Sequence, residues 1–248
     1  MNEPVIDDIW ASLRRTTQAR IGLGRTGNAL PTAHVLAFRA AHAAARGAVH
    51  LPLDLQDLVR RATDVGIGTP AVVASRATSR SEYLRRPDLG RSATDLSAVP
   101  NTGADIGLVL ADGLSPQALD AHGVGLLTAL VARLSPSYSI APPVIATQAR
   151  VALGDAIGAA MGVKTLLVLI GERPGLSVPA SLGIYLTHLP QPGLTDERRN
   201  CISNIHPPEG LDYSGAARIT ALLLTEAQRL GESGVRLTAE AHKNRLLD

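Results

Sequence analysis

The sequence predicts an α/β protein: a small helical N-terminal region, then a mainly parallel sheet with helices on both faces. Three observations lead there. Short aliphatic runs at Asp105 to Gly113 and Thr165 to Gly171 suit buried strands, and they alternate with stretches of helical spacing. Residues 5–50 are alanine-rich and read as largely helical. Turn-forming residues from Asp95 to Gly103 mark a boundary between the two parts, placed here as 1–95 and 96–248.

The elements follow in order. Asp7 and Asp8 precede Ile9 to Arg15, acids where a helix N-terminus favours them. A glycine stretch, Ile21 to Asn28, interrupts. Pro31 to Arg46 reads as one helix with proline in its first turn, its alanines open to close approach. Leu55 to Asp64 suits a short amphipathic helix. Ser75 to Arg91 is polar, with five arginines and two acids. In the second part, a strand at Asp105 to Gly113 ends in a turn. Ser115 then caps a helix that has Pro116 at its first position. A strand at Val144 to Thr147, a helix over Gln148 to Met161, strands at Thr165 to Gly171 and Gly183 to Thr187, and a helix over Ser214 to Leu230 complete the pattern. Ligands of such sheets sit outside the carboxyl ends of the strands, which directs attention to Ala111 to Gly113 and Gly171 to Gly175.

Composition excludes several classes. The 248 residues are 45% hydrophobic with a formal net charge of +2, which is incompatible with a disordered chain. The longest aliphatic run, Leu166 to Ile170, is far short of the ~20 residues of a membrane helix. Met1 to Pro4 lacks the basic start of a secretory signal. One cysteine, Cys201, allows no internal disulfide. A soluble, cytoplasmic protein is expected. Arginine supplies 22 of the 24 basic residues, which fits carboxylate-binding subunit contacts and equally a GC-rich coding bias. Six aromatics leave little for bases to stack on, so nucleic acid is not an expected partner.

Two motifs fail in context. Gly22-Leu23-Gly24-Arg25-Thr26-Gly27 matches a dinucleotide fingerprint, but neither a strand before it nor an acid ~20 residues after it is present. Asp120 to Gly125 matches the D-x-H-x-x-G pattern of proteins that ligate cobalt through histidine, yet it falls within a predicted helix. The seven histidines and the lone cysteine show no metal-ligand spacing, so no metal site is expected.

Two residues stand out at the strand ends. Glu172 follows a buried strand, where its carboxylate could accept from a ligand or pair with Arg173 or a loop arginine. Cys201 follows Arg198 and Arg199; two arginines would favour its thiolate, and a buried inert thiol is the alternative. Its surroundings, Arg198 to Pro207, are dense in polar groups and turn formers.

These segments resemble one family. Ala19 to Thr32, Ala41 to His50, Ser79 to Arg91, Ala111 to Ser115, Arg150 to Asp155, Leu169 to Ser177 and Arg199 to Ile205 are similar to the small (light) subunit of ethanolamine ammonia-lyase. The specific pair is Gly171-Glu172-Arg173-Pro174-Gly175 with Asn200-Cys201-Ile202-Ser203-Asn204. The resemblance implies a Rossmann-like second domain and a subunit of an enzyme that converts 2-aminoethanol to acetaldehyde and ammonia. It implies adenosylcobalamin as cofactor, shared at the interface with a large catalytic subunit, and a radical mechanism begun by cobalt–carbon homolysis. Cobalamin contacts carry over to Val151, Glu172 and Cys201 as binding roles, with no catalytic residue on this chain. Packaging in a bacterial microcompartment is the alternative to plain cytoplasm. Two other functions compete: an independent Rossmann-type nucleotide-binding protein, and a scaffold subunit without a ligand.

Overall fold

The computed structural model describes residues 9–237. Asp7 and Asp8, read above as helix-opening acids, lie outside them. The N-terminal helices are α1 (Ala11–Arg14), α2 (Thr32–His50) and α3 (Leu55–Thr63). β1 (Ala71–Ala74) and α4 (Arg80–Arg85) come next, then β2 (Ile106–Ala111), α5 (Pro116–Leu134), β3 (Val144–Thr147) and α6 (Leu153–Met161). β4 (Thr165–Gly171), β5 (Leu182–His188), β6 (Asn200–Ile205) and α7 (Tyr213–Leu230) complete the order.

The strands form one sheet, β1-β3-β2-β4-β5-β6. β1, β3, β2 and β4 are parallel. β5 runs antiparallel to β4, and β6 antiparallel to β5. The reversal follows from chain length. Residues 172–181 join β4 to β5 without a helix, and a parallel return needs a dozen or more residues, usually helical. The sheet is therefore mostly, not wholly, parallel.

β2 and β4 are buried on both faces, which is why they read as continuous aliphatic runs. One face, with Leu108, Leu110, Leu167, Leu169 and Ile184, packs against α3, α5 and α7. The other, with Val109, Leu166 and Val168, packs against Leu153, Ile157 and Met161 of α6. Each fully buried leucine contributes roughly 1.5–3 kcal/mol. The helix ends obey local chemistry. Ser115 Oγ accepts the Ala118 N–H at 3.1 Å and Pro116 sits in the first turn. Asp212 caps α7 through the Gly215 N–H at 2.6 Å, and Gly231 ends it at φ 73°.

Several expectations need adjustment. The helix expected from Gln148 begins at Leu153. Gln148 takes φ 53°, and the Gln148 and Ala149 N–H groups donate to the Asp112 carboxylate at 2.8 and 3.0 Å, so neither enters a helix. The largely helical reading of 5–50 is interrupted: Thr16 to Pro31 contains neither helix nor strand beyond a Thr26–Ala29 bridge. The glycine stretch thus follows α1 rather than a strand, which removes the dinucleotide context. β1 and β6 were not anticipated, and β1 gives the sheet an edge strand from before Asp95.

α2 lies against α5, yet only Ala48 of its nineteen residues is buried. Between residues 9 and 53 there are six arginines and no acid. Ile9, Trp10, Leu13, Leu30, Leu36, Phe38 and Leu51 in this stretch are exposed. The stretch thus presents an arginine-rich, partly apolar surface.

Candidate functional site: an uncovered polar face at the end of the sheet

The two segments singled out at the strand ends pack on each other. Leu114 N–H donates to Gly171 O at 2.9 Å. A Cβ at Gly113 would strike the Gly171 carbonyl oxygen, and one at Gly171 would strike Ser115 O. The crevice between β2 and β4, where the strand order reverses, is thus filled by the protein's own backbone. The other singled-out residues lie toward β5 and β6 instead.

There α6 helps. It packs on β2 and β4, and the outward side chains of β6, Cys201 and Ser203, remain exposed. Cys201 lies opposite Tyr185 in the β5–β6 register. Tyr185 and Val151, which sits in the turn before α6, pack against the same apolar cluster from this face. Glu172 leaves the end of β4 beside them: its Oε1 would be 3.0 Å from a Cβ built on Gly183, the residue two before Tyr185. Val151, Glu172 and Cys201, distant in sequence, therefore share one face.

Glu172 is held by short-range partners, not by an arginine. Its N–H donates to Ser181 O at 2.9 Å, and its Oε2 accepts from Ser181 Oγ at 2.7 Å and from Asn204 N–H at 3.3 Å. Arg173 is exposed. Both readings of Cys201 are corrected: the residue is exposed rather than buried, and its two neighbouring arginines are engaged elsewhere. Arg198 turns to Glu232 at 3.0 Å, and Arg199 is buried against Asp155 and Asp196. The thiol is raised above its ordinary value, first by partial burial and further by the Glu172 carboxylate, against a lowering hydrogen bond from Tyr185. Burial pushes the Tyr185 hydroxyl up to about 12, with the Cys201 thiol adding to the shift. Both groups keep their protons at neutral pH. They suit hydrogen bonding to a ligand rather than proton transfer.

His122 is accounted for structurally. It lies on α5, and its Nδ1 is 2.8 Å from the Tyr213 hydroxyl. Among the described residues, no group of three or more His, Cys, Asp or Glu could hold a metal. An open cavity of about 960 Å³ lies against the Ala152–Ala156 turn, bounded by residues 91–96 and 192–197. Glu172 and Cys201 do not line it. Its lining is polar, with Arg91, Asp95, Asp155 and Asp196 among the residues.

Sequence reading missed Ser181, Gly183, Tyr185 and Asn204. Alternation along β5 was a usable signal: Leu182, Ile184 and Leu186 face one core, which sends Gly183 and Tyr185 to the opposite side. The convergence of Ser181 and Asn204 on Glu172 had no local signal.

Fold and geometry together define an α/β protein with a mostly parallel sheet and a cluster of polar groups around Glu172 at one end of it. Residues 7–238 match the family described as ethanolamine ammonia-lyase light chain (EutC). The chain belongs to that family, a subunit family of a lyase complex. It is 65% identical over 234 residues to the ethanolamine ammonia-lyase small subunit of Rhodococcus erythropolis, covering 94% of this chain and 91% of that one. It is 48% identical over 255 residues to that of Azotobacter vinelandii, covering 98% and 93%. With that of Ralstonia nicotianae it shares 46% over 246 residues, covering 96% and 90%.

Proposed function

We propose that this chain covers adenosylcobalamin at the interface with a large catalytic subunit of ethanolamine ammonia-lyase, the pair converting 2-aminoethanol to acetaldehyde and ammonia. The observation that carries the reading is the shared face of Val151, Glu172 and Cys201, three positions separated by up to fifty residues of chain. The donor set suits a corrinoid, whose rim bears amide groups and whose body is broad and apolar. Glu172 Oε1 accepts from an amide N–H or hydroxyl, Val151 offers apolar contact, and the Cys201 segment offers its outward thiol and the neighbouring Ser203 hydroxyl. Bound there, adenosylcobalamin supplies the radical chemistry, and protein groups hold and orient it. This chain's residues bind and exclude water; none is placed as a proton carrier.

The domain reading rests on the same footing. The β2-α5-β3 and β3-α6-β4 crossovers on opposite faces support a Rossmann-like core. The acid-free stretch at 9–53 and the arginines of Ser75 to Arg91 support contact between the helical N-terminal region and the large subunit. No described helix is long and apolar enough to cross a membrane. We assign the enzyme to the cytoplasm, free or inside a microcompartment, which cell fractionation decides.

The test is acetaldehyde formation from 2-aminoethanol and adenosylcobalamin by this chain alone and co-expressed with its large subunit. Activity from the co-purifying pair only is the expected result. A pair that purifies together and turns over without cobalamin would overturn the cofactor reading.

A further inference from the structure

The carboxylate of Glu172 is held asymmetrically. Oε2 faces protein donors, Ser181 Oγ at 2.7 Å and Asn204 N–H at 3.3 Å. Oε1 lies against buried Gly183, 3.0 Å from where a Cβ would stand, so the missing side chain makes room for the carboxylate. The Asn204 donor exists because β6 carries a bulge. Leu182 pairs with Ile205 and Ile184 with Ile202, so Ser203 and Asn204 together oppose the single residue Gly183. Asn204 adopts φ 64°, the left-handed region that asparagine tolerates better than most residues.

Asn204 is held at two further points. Its carbonyl accepts the Leu211 N–H at 2.8 Å. Its side-chain Oδ1 accepts from Nε2 of His206, a residue only 6% exposed, at 2.8 Å. Gly210 makes room for both: a Cβ there would lie 2.5 Å from Asn204 O and 2.6 Å from the His206 ring. The loop after β6 therefore fixes the bulge, and the bulge aims a backbone N–H at one carboxylate oxygen.

We infer that His206 and Asn204 are positioning residues that orient Glu172, and that Gly183 makes room for the carboxylate in the orientation that offers Oε1 to an amide or hydroxyl donor on the corrinoid. This rests on the assignment of Glu172 as a cofactor contact. None of the three touches the cofactor in this reading; each acts through Glu172.

The experiment measures cyanocobalamin affinity of the assembled large–small complex by calorimetry. The variants are His206→Leu, His206→Gln, Asn204→Gly and Gly183→Ala, each with Glu172 intact and with Glu172→Ala. Asn204→Gly keeps the left-handed backbone and removes only the link to His206. His206→Leu, Asn204→Gly and Gly183→Ala are each expected to weaken binding up to about tenfold, the scale of one misaligned hydrogen bond. His206→Gln, which retains a donor, is expected to restore most of the loss. In the Glu172→Ala background all of these effects should vanish, because the group they orient is gone. Equal losses with and without Glu172 would overturn the positioning role and leave only structural damage. If Glu172→Ala itself leaves affinity unchanged, the assignment of Glu172 as a cofactor contact fails instead. Co-purification with the large subunit shows that each variant folds and assembles.

Discussion

Arg199 and Asp155 form an ion pair in which both side chains are only 2% exposed, joining the start of β6 to α6. Arg199 also donates to Asp196 Oδ1 at 2.8 Å and to Leu194 O at 3.0 Å. The clamp fixes the strand carrying Cys201 to the helix that follows Val151. Burial raises the Asp155 carboxyl, the Arg199 guanidinium works against that shift, and the nearby Asp196 charge adds slightly to it.

Removing Arg199 leaves the Asp155 carboxylate buried without its ion-pair partner. Arg199→Leu is expected to cost about 3–5 kcal/mol in urea unfolding, whereas the double variant with Asp155→Leu should recover part of that loss. A double variant as unstable as the sum of the singles would show that the pair does not interact energetically.

Glu172→Ala is expected to weaken cobalamin affinity of the assembled enzyme by about 1–3 kcal/mol, as for a lost hydrogen bond involving a charged group. Equilibrium titration against wild type measures it. Glu172→Gln should lose less, because its amide oxygen still accepts.

Asp105 gives a pH signature. Its carboxyl is held below the ordinary range, first by the Lys164 ammonium at 2.8 Å and then by Ser139, whose Oγ and N–H donate at 2.6 and 3.0 Å. A depressed carboxylate stabilises the fold in full above its unfolded value, ~4, and loses that contribution as pH falls through the depressed one. Asp105→Asn should therefore cost about 1 kcal/mol at pH 7, a modest figure because water screens the pair. The gap between variant and wild type in urea midpoint should narrow below pH ~4. A gap constant down to pH 2 would assign the loss to something other than charge.

Arg85 and Arg86 are exposed at the end of α4, and Arg86 pairs with its neighbour Asp88 at 2.7 Å. Reversing both charges should impair assembly with the large subunit while leaving the melting temperature of the small subunit unchanged. Gel filtration of the mixed subunits gives the answer; undisturbed assembly would place the contact elsewhere, with the acid-free 9–53 surface the next to test.

What could be read from residues alone was local. The aliphatic runs of β2 and β4 announce strands because both faces are buried and every position must be apolar. Ser115 with Pro116 announces the start of α5 because the capping chemistry lies within four residues. The Gly171 to Gly175 and Asn200 to Asn204 stretches identify the family for the same reason: each is contiguous. The tertiary structure decided what depends on pairing across the chain. β6 alternates apolar Ile202 with polar Cys201 and Ser203, and it becomes a strand because β5 supplies its hydrogen bonds. Gln148 leaves the helix because Asp112, thirty-six residues earlier, takes its N–H. Glu172 acquires a direction only when Ser181 and Asn204 converge on one oxygen and Gly183 makes room for the other. Hydrogen bonds reach about 3 Å, so their partners are set by which segments fold together, and spacing in sequence carries no record of that.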